Sequence, residues 1–255
     1  MNLVSTTVGQ GPNLVLLHGW GLNSGVWQPC IEQLTSSFTV TTIDLPGFGL
    51  NHEQLPEPYS LASVAEAICK VLPETCILVG WSLGGLVAQQ VALLAGNQIK
   101  HLMVVASSPR FIADDNWSGM QFSVLDNFNA QLELNLPATI SRFLAIQAMG
   151  SPTAKQDIKM IKQHMDNYPP ANSLALSAGL QLLAQSDLRT QLTDIQCPLH
   201  FMLGRLDSLV PIKLQENLQD LHHKINITVF DKSSHAPFIS EQQRFIEVLV
   251  KTVRN

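Results

Sequence analysis

The stretch CILVGWSLGGLVAQQVALLA, residues 76–95, decides the fold of this 255-residue chain. Its first residues, Cys76–Val79, form a short apolar run typical of a buried strand, and Leu83–Ala95 has the pattern of a helix. Between them, Ser82 stands in a Gly-x-Ser-x-Gly turn. A strand, a tight turn that carries a serine, and a helix are typical of a nucleophile elbow, which raises the hydroxyl above the carboxyl edge of a parallel sheet. Glycines are needed there because the backbone is strained and larger side chains would collide with the packed strand and helix.

On both sides of this stretch, short apolar runs alternate with helical patterns. Such alternation predicts an α/β fold, with a mostly parallel central sheet flanked by helices. The predicted strands are Asn13–Leu17, Phe38–Ile43, Cys76–Val79, Leu102–Ala106, His200–Leu203 and Ile227–Phe230. The predicted helices of this alternating part are Gly25–Leu34, Leu61–Leu72, Leu83–Ala95, Ile212–Leu221 and Gln242–Val253.

The middle of the chain breaks the alternation. From Phe111 to Asp187 we find no convincing strand, but several amphipathic helical stretches. These stretches are Val124–Leu134, Ala138–Met149, Ala154–Asn167 and Ser173–Gln185. We therefore expect one α/β core domain formed by residues 1–110 and 188–255, split by an all-helical cap or lid of residues 111–187.

Composition and charge exclude several classes of protein. The chain has 15 Lys and Arg residues against 20 Asp and Glu residues, which disfavours binding to a nucleic-acid backbone. Its apolar runs are far shorter than the roughly 18 residues that a membrane span needs, and the N-terminal residues lack a signal-peptide pattern. The four cysteines show no C-x-x-C spacing, so we expect reduced thiols in a cytoplasmic protein. Because no long apolar stripe is left over, we expect a monomer.

A serine nucleophile needs a base and a carboxylate that orients the base. His235 follows the strand Ile227–Phe230 in a loop that can return over the sheet edge, and Asp207 follows His200–Leu203. The chain order Ser82, Asp207, His235 is the order expected on an α/β sheet. Asp231 and Asp187 are weaker alternatives for the carboxylate. No histidine has metal-ligand spacing such as H-E-x-x-H, so we expect neither a metal nor a cofactor.

The oxyanion of an acyl-transfer reaction needs two preorganised N–H donors. One is expected from the backbone of Leu83, the residue after the nucleophile. The other is expected from the backbone of Trp20, in the loop His18-Gly19-Trp20-Gly21 that follows the first predicted strand.

Several motifs together resemble the α/β-hydrolase superfamily over nearly the whole chain. They are HGWG (18–21), DLPGFG (44–49), GWSLGG (80–85), GRLDSLVP (204–211) and SSHAPF (233–238). The longer motifs HGWGLNSGVW, GWSLGGLVA, VASSP and HAPFIS resemble the family of pimeloyl-[acyl-carrier protein] methyl ester esterases of biotin synthesis. This resemblance implies a serine carboxylesterase that releases methanol from pimeloyl-[acyl-carrier protein] methyl ester without a cofactor, and an acyl carrier protein as its partner.

The same resemblance assigns roles within the helical cap. It implies an acyl-chain site lined by Phe143, Leu144, Ala145, Ile146 and Gln147, although plain helix core is an alternative reading of these residues. Lys155, Lys159 and Lys162 recur along one predicted helix face, and Arg142 lies on the preceding helix. The resemblance implies that Arg142, Lys155 and Lys159 dock the acidic carrier, with Lys162 extending the basic stripe, although a solvated helix face is an alternative. Ala138 stands where the family can carry a further basic residue, so the patch is expected to be weaker here.

Two other functions remain open at this point. The same triad serves broad short-chain carboxylesterases, thioesterases and carbon–carbon bond hydrolases. A ligand receptor that keeps the triad but turns over negligibly is an alternative of another class. Dehalogenases and epoxide hydrolases are disfavoured because they place an aspartate where Ser82 stands.

Overall fold

A seven-stranded sheet forms the centre of the molecule in the computed structural model, which describes residues 1–254 except for the side chain of Glu133. The order of strands across the sheet is β1-β3-β2-β4-β5-β6-β7. The strands are β1 (Ser5–Gly9), β2 (Asn13–Leu17), β3 (Thr39–Ile43), β4 (Cys76–Trp81), β5 (Ile99–Val105), β6 (Leu199–Gly204) and β7 (Asn226–Phe230). Strands β2 to β7 run parallel, which confirms the predicted mostly parallel sheet.

The edge strand β1 is absent from the sequence-based prediction. It pairs antiparallel with β3, in register from Ser5 opposite Ile43 to Gly9 opposite Thr39. All of its residues are solvent-exposed, so its sequence, STTVG, lacks the apolar pattern of a buried strand. Only the neighbouring β3 backbone makes this segment a strand.

Helices cover both faces of the sheet and create two apolar layers. Buried residues of α2, α3 and α8 pack on one face, and buried residues of α1 and α10 pack on the other. The helices of this part are α1 (Gln28–Leu34), α2 (Leu61–Cys69), α3 (Leu83–Leu94), α8 (Leu214–Leu221), α9 (Pro237–Ser240) and α10 (Gln242–Arg254). The prediction of a single helix over Gly25–Leu34 is wrong in detail, because Ser24–Trp27 is a 3-10 helix and α1 begins only at Gln28, next to Pro29.

Between β5 and β6 the chain forms four α-helices, the 3-10 helix Arg189–Asp194 and no strand of the sheet. The α-helices are α4 (Phe122–Leu134), α5 (Leu136–Ala148), α6 (Ala154–Met165) and α7 (Ser173–Gln185). Pro137 occupies the first turn of α5, where a missing N–H does no harm, and the Asn135 side chain caps that helix. Helix α7 packs on α3 and α4, while α6 packs on α5 and on the 3-10 helix Ser24–Trp27. The division into a core and a separate cap stays a prediction.

Within the described residues, no helix has the length and apolar character needed to cross a lipid bilayer.

Candidate active site

Ser82 occupies the turn between β4 and α3 with φ 55° and ψ −120°, a backbone conformation that is strained for any residue with a side chain. The surrounding glycines are required by close packing. A Cβ on Gly84 would collide with the backbone carbonyls of Leu17 and His18, and a Cβ on Gly85 would lie 2.5 Å from the Cβ of Ser107. The Ser107 hydroxyl donates a 2.7 Å hydrogen bond to the Ser82 carbonyl and so supports the turn. The packing of three strand ends therefore maintains the strained serine.

Three distant segments meet at this turn because β4, β6 and β7 end at the same edge of the parallel sheet. The Nε2 atom of His235 lies 2.9 Å from the Ser82 hydroxyl, and its Nδ1 atom lies 2.7 Å from a carboxylate oxygen of Asp207. All three side chains are buried, with Ser82 only 2% exposed. The arrangement can transfer a proton from the serine to the imidazole while the carboxylate stabilises the charge that forms.

The carboxylate and the imidazole are each held by further contacts. Backbone N–H groups of Leu209 and Val210 donate to the second oxygen of Asp207 at 2.8 and 3.0 Å. The backbone N–H of His235 donates to the backbone carbonyl of Gln147 at 3.0 Å, and the indole N–H of Trp81 donates to the backbone carbonyl of His235 at 2.6 Å. These bonds fix the loop that carries the base.

Two other carboxylates were open alternatives from the sequence. Asp231 lies 2.6 Å from the Arg205 guanidinium, and Asp187 pairs with Arg110 and Arg189. The arginines lower the pKa of both carboxyls, chiefly through hydrogen bonds. Neither carboxylate contacts His235, so the structure leaves Asp207 as its partner.

The loop after β2 lies directly against the nucleophile. A Cβ on Gly19 would lie 3.2 Å from the Cβ of Ser82, so the Gly19–Trp20 peptide borders the serine. Among the described residues, the backbone N–H groups of Trp20 and Leu83 donate to no protein acceptor. Both are therefore free to donate to a substrate oxygen beside Ser82.

The helices between β5 and β6 cover this site. The Trp20 indole donates a 2.8 Å hydrogen bond to the carbonyl of Leu176 in α7, and its ring meets the edge of Phe143 at a centroid distance of 4.7 Å. Phe143 in turn meets Phe128 of α4 at 5.4 Å. An aromatic row therefore runs from the loop after β2 into the helical segment.

The segment Phe143–Gln147, expected to line an acyl site, divides between several environments. Phe143 and Gln147 are buried, and the Gln147 backbone contacts the His235 loop. Leu144 packs in the apolar layer on the opposite side, with Trp27 and Ile161, while Ala145 is exposed. The difference follows from the helical period, because consecutive residues of α5 cannot all face one site. Their role in binding an acyl chain stays a prediction.

The carboxamide of Gln147 has no hydrogen-bond partner for either its oxygen or its nitrogen within the described residues, although the side chain is only 1% exposed. An unpaired buried amide is costly unless a ligand or water satisfies it. Sequence reasoning missed this feature and also missed the supporting roles of Trp81 and Ser107. Only Ser107 carries a sequence signal, since it follows β5, the strand beside β4.

Two small cavities adjoin the helices that cover the site. One, of about 290 Å³, lies between the loop after β2, at Gly21–Asn23, and the helical segment at Ile140 and Tyr168. The other, of about 180 Å³, is lined by α4 and α5 and includes Phe128, Arg142 and Ile146.

The predicted docking residues lie on the outer surface of the neighbouring helices α5 and α6. Arg142, Lys155, Lys159 and Lys162 are all exposed, in a chain whose net charge is −5. Arg142 lines the small groove between α4 and α5, whereas the three lysines belong to α6. Docking stays a prediction for all four.

Comparisons with known proteins identify the family of this chain. A family model described as "alpha/beta hydrolase fold" matches residues 12–242. A relative from Pseudoalteromonas atlantica, named pimeloyl-[acyl-carrier protein] methyl ester esterase, is 52% identical over 99% of this chain and 98% of its own length. A relative of the same name from Photobacterium profundum is 47% identical, covering 95% of each chain.

Solved structures agree on the fold. An esterase from Exiguobacterium antarcticum superposes with a TM-score of 0.88 over 99% of this chain and 96% of its own, at 23% identity. E-2-(Acetamidomethylene)succinate hydrolase superposes with a TM-score of 0.80 over 99% and 95% of the two chains, at 21% identity. The matched family, the near-full-length relatives and the buried Ser–His–Asp arrangement lead to one conclusion: the chain belongs to the α/β-hydrolase family.

Proposed function

We propose that this protein is a serine carboxylesterase that hydrolyses the methyl ester of pimeloyl-[acyl-carrier protein], giving pimeloyl-[acyl-carrier protein] and methanol in biotin synthesis. The observation that carries the reaction type is the relay of Ser82, His235 and Asp207, with contacts of 2.9 and 2.7 Å. The names of the near-full-length relatives support the substrate.

The first half of the reaction acylates the serine. His235 takes the proton of the Ser82 hydroxyl as the oxygen attacks the ester carbonyl, and Asp207 stabilises the imidazolium. The backbone N–H groups of Trp20 and Leu83 donate to the oxyanion of the tetrahedral intermediate. His235 then protonates the leaving methoxide, so methanol departs and an acyl-enzyme remains.

The second half regenerates the enzyme. His235 accepts a proton from a water molecule that attacks the acyl carbonyl, and the collapse of the second tetrahedral intermediate returns that proton to Ser82. The product is the free carboxylic acid at the end of the acyl chain. No step of this sequence needs a metal or a cofactor.

The placement of the substrate explains why one of its two ester-like bonds reacts. The methyl ester is at the tip of the acyl chain, whereas the thioester joins the chain to the carrier. In the proposed complex the chain passes between the helical cap and the core, along the row formed by Trp20 and Phe143, and its tip reaches Ser82. The thioester stays outside the buried site and is spared.

The carrier docks on the basic surface formed by Arg142, Lys155, Lys159 and Lys162. All four side chains are exposed, so their cations are available to an acidic partner. Such charges mainly steer encounter and orient the partner, because exposed ion pairs contribute little affinity. We place the reaction in the cytoplasm, where the free thiols of this chain, two of the four buried, would remain reduced.

A direct assay tests this proposal. The purified protein is incubated with pimeloyl-[acyl-carrier protein] methyl ester, and the mass of the acylated carrier is measured by mass spectrometry. We expect the loss of one methylene unit's mass, with the thioester intact, and no loss with Ser82→Ala. Release of the acyl chain from the carrier would instead indicate a thioesterase. Turnover of p-nitrophenyl butyrate without turnover of the carrier ester would favour a broad short-chain esterase, and no turnover of either would favour a receptor.

A further inference from the structure

His18 is a fully buried histidine that the proposed mechanism does not use. Its Nδ1 atom lies 2.8 Å from the carbonyl oxygen of Gly19, and the backbone N–H of Leu45 donates to its Nε2 atom at 3.0 Å. Because Nε2 accepts, the ring proton resides on Nδ1 and is donated to Gly19. The neutral tautomer with its proton on Nδ1 therefore satisfies both contacts. Burial lowers the pKa of His18 and so favours the neutral form, although the negative charge of Asp44 raises that pKa in part.

The carbonyl that His18 contacts belongs to the peptide that ends in the Trp20 N–H. This peptide is trans, since the cis bond of the described chain is Glu57–Pro58. In a planar trans peptide the C=O and N–H bonds point in opposite directions. A hydrogen bond that fixes the Gly19 carbonyl therefore also fixes the direction of the Trp20 N–H, on the side away from the imidazole.

The position of this peptide makes its direction important. Gly19 borders Ser82 so closely that an added Cβ would lie 3.2 Å from the serine Cβ and 3.1 Å from the ring of Trp81. The glycine itself offers little resistance to rotation of the peptide, because it has no side chain. A contact to the Gly19 carbonyl therefore adds to the anchoring of the Trp20 side chain by Leu176 and Phe143 in setting the direction of this N–H.

The imidazole has a firm support on its far side. Asp44 accepts hydrogen bonds from the backbone N–H groups of Ser24, at 2.5 Å, and Leu50, at 2.8 Å, and its own carbonyl accepts from the Asn51 side chain at 2.7 Å. This network holds the backbone at Leu45, which in turn holds Nε2 of His18. The ring is thus clamped between a fixed loop and the Gly19 carbonyl.

We propose that His18 is a positioning residue that orients the Gly19–Trp20 peptide, so that the Trp20 N–H is aimed at the oxyanion before the substrate arrives. This role rests on the proposed acyl-transfer function of the site. A preorganised donor stabilises the transition state because no reorganisation is needed when charge develops. His18 touches no substrate atom and acts through the backbone alone.

Two substitutions separate the two hydrogen bonds of the ring. His18→Asn places an amide donor near the position of Nδ1 and keeps the bond to Gly19, while Leu45 loses its acceptor. His18→Gln places an acceptor near the position of Nε2 and keeps the bond to Leu45, while the Gly19 carbonyl loses its donor. Each variant loses one bond and some volume, so a merely structural role predicts similar effects from both.

The measurements are kcat and KM with p-nitrophenyl butyrate, and the Kd of butylboronic acid by calorimetry. The boronic acid forms a bond from Ser82 Oγ to boron while the serine proton passes to His235, which mimics the tetrahedral intermediate. We expect His18→Asn to keep kcat within about threefold of the natural protein, and His18→Gln to lower kcat by about 30- to 100-fold with KM nearly unchanged. The boronic acid should bind His18→Gln more weakly by a similar factor.

Equal losses of kcat and of boronic acid affinity in the two folded variants would overturn the proposal. Should His18→Gln not fold, a loss above about tenfold in folded His18→Asn would overturn it as well. The natural protein provides a third readout, because nitrogen NMR of the imidazole should show the Nδ1–H tautomer, and an Nε2–H tautomer would contradict the proposed contact. Failure of the methyl ester assay alone would count against the proposed substrate and leave these outcomes decisive.

Discussion

The strand ends that carry the relay and the helical segment above them are built under different constraints. At the strand ends, Ser82, Asp207 and His235 are buried, and glycines such as Gly84 are fixed by contacts with neighbouring backbone. The helical segment instead exposes large apolar side chains, with Leu134 78% exposed, and carries basic residues on its outer surface. The first region has almost no freedom to vary, whereas the second can change its surface without moving a reacting atom.

This difference separates two kinds of effect on the reaction. Changes at the strand ends should alter kcat for every ester, because they alter the transition state itself. Changes in the helical segment should alter KM for some esters and not for others, because they alter how a particular substrate is held.

The largest effect is expected from Ser82→Ala. Removing the nucleophile should lower kcat by about 10⁴-fold or more for both p-nitrophenyl butyrate and the carrier ester. The thermal midpoint of unfolding should not fall, because the substitution removes only the hydrogen bond between the Ser82 hydroxyl and His235. Loss of activity toward only one of the two esters would contradict a shared nucleophile.

A smaller effect, confined to one substrate, is expected on the basic surface. Lys155→Gln combined with Lys159→Gln should raise KM for the carrier ester by about tenfold at low salt and leave kcat unchanged, because these charges act on encounter. The effect should shrink as ionic strength rises.

The matched control for this pair is Lys100→Gln combined with Lys224→Gln. These exposed lysines lie at the amino ends of β5 and β7, on the edge of the sheet opposite the relay, and the net charge changes by the same amount. The control should leave KM for the carrier ester unchanged. Equal effects of the two pairs would mean that overall charge, and not a docking surface, determines KM.

Phe143→Leu tests whether the aromatic row holds the acyl chain. We expect KM for dimethyl pimelate to rise by about fivefold while KM for p-nitrophenyl acetate stays constant, because only the longer chain loses apolar contact. Phe245→Leu, the same change in the buried face of α10, should lower stability without separating the two substrates. Parallel changes in both KM values would place the long chain elsewhere.

The last effect concerns stability in acid and lies away from both regions. His200 contacts the hydroxyls of Thr228 and Thr252, and burial lowers its pKa to about 4. Because the unfolded chain binds this proton first, stability is lost as the pH falls from about 6.5 to 4. The free energy of unfolding is measured with urea at pH 7 and at pH 4.5. In His200→Gln, its decrease between these two pH values should be smaller by about 2 kcal/mol than in the natural protein. The exposed His223, changed to Gln, serves as the control, and an equal effect there would refute the assignment.

Much of the fold and the catalytic order was readable from local signals. The elbow at Ser82 is recognisable because strain, glycines and apolar flanks must all occur within a few consecutive residues. Asp207 and His235 were predictable because each follows a strand of a parallel sheet, and such strands end at one edge. The polar edge strand β1 was missed because its pairing depends on β3 and not on its own sequence.

By itself, the sequence determined the α/β class, the order of the three relay residues and the place of the helical segment, since each depends on short-range pattern. Only the tertiary structure decided which carboxylate meets His235, which residues of α5 face the site, and that the His18 ring contacts the Gly19 carbonyl. Those outcomes depend on contacts between residues far apart in the chain and on the direction of single side chains, which a pattern along the sequence does not specify.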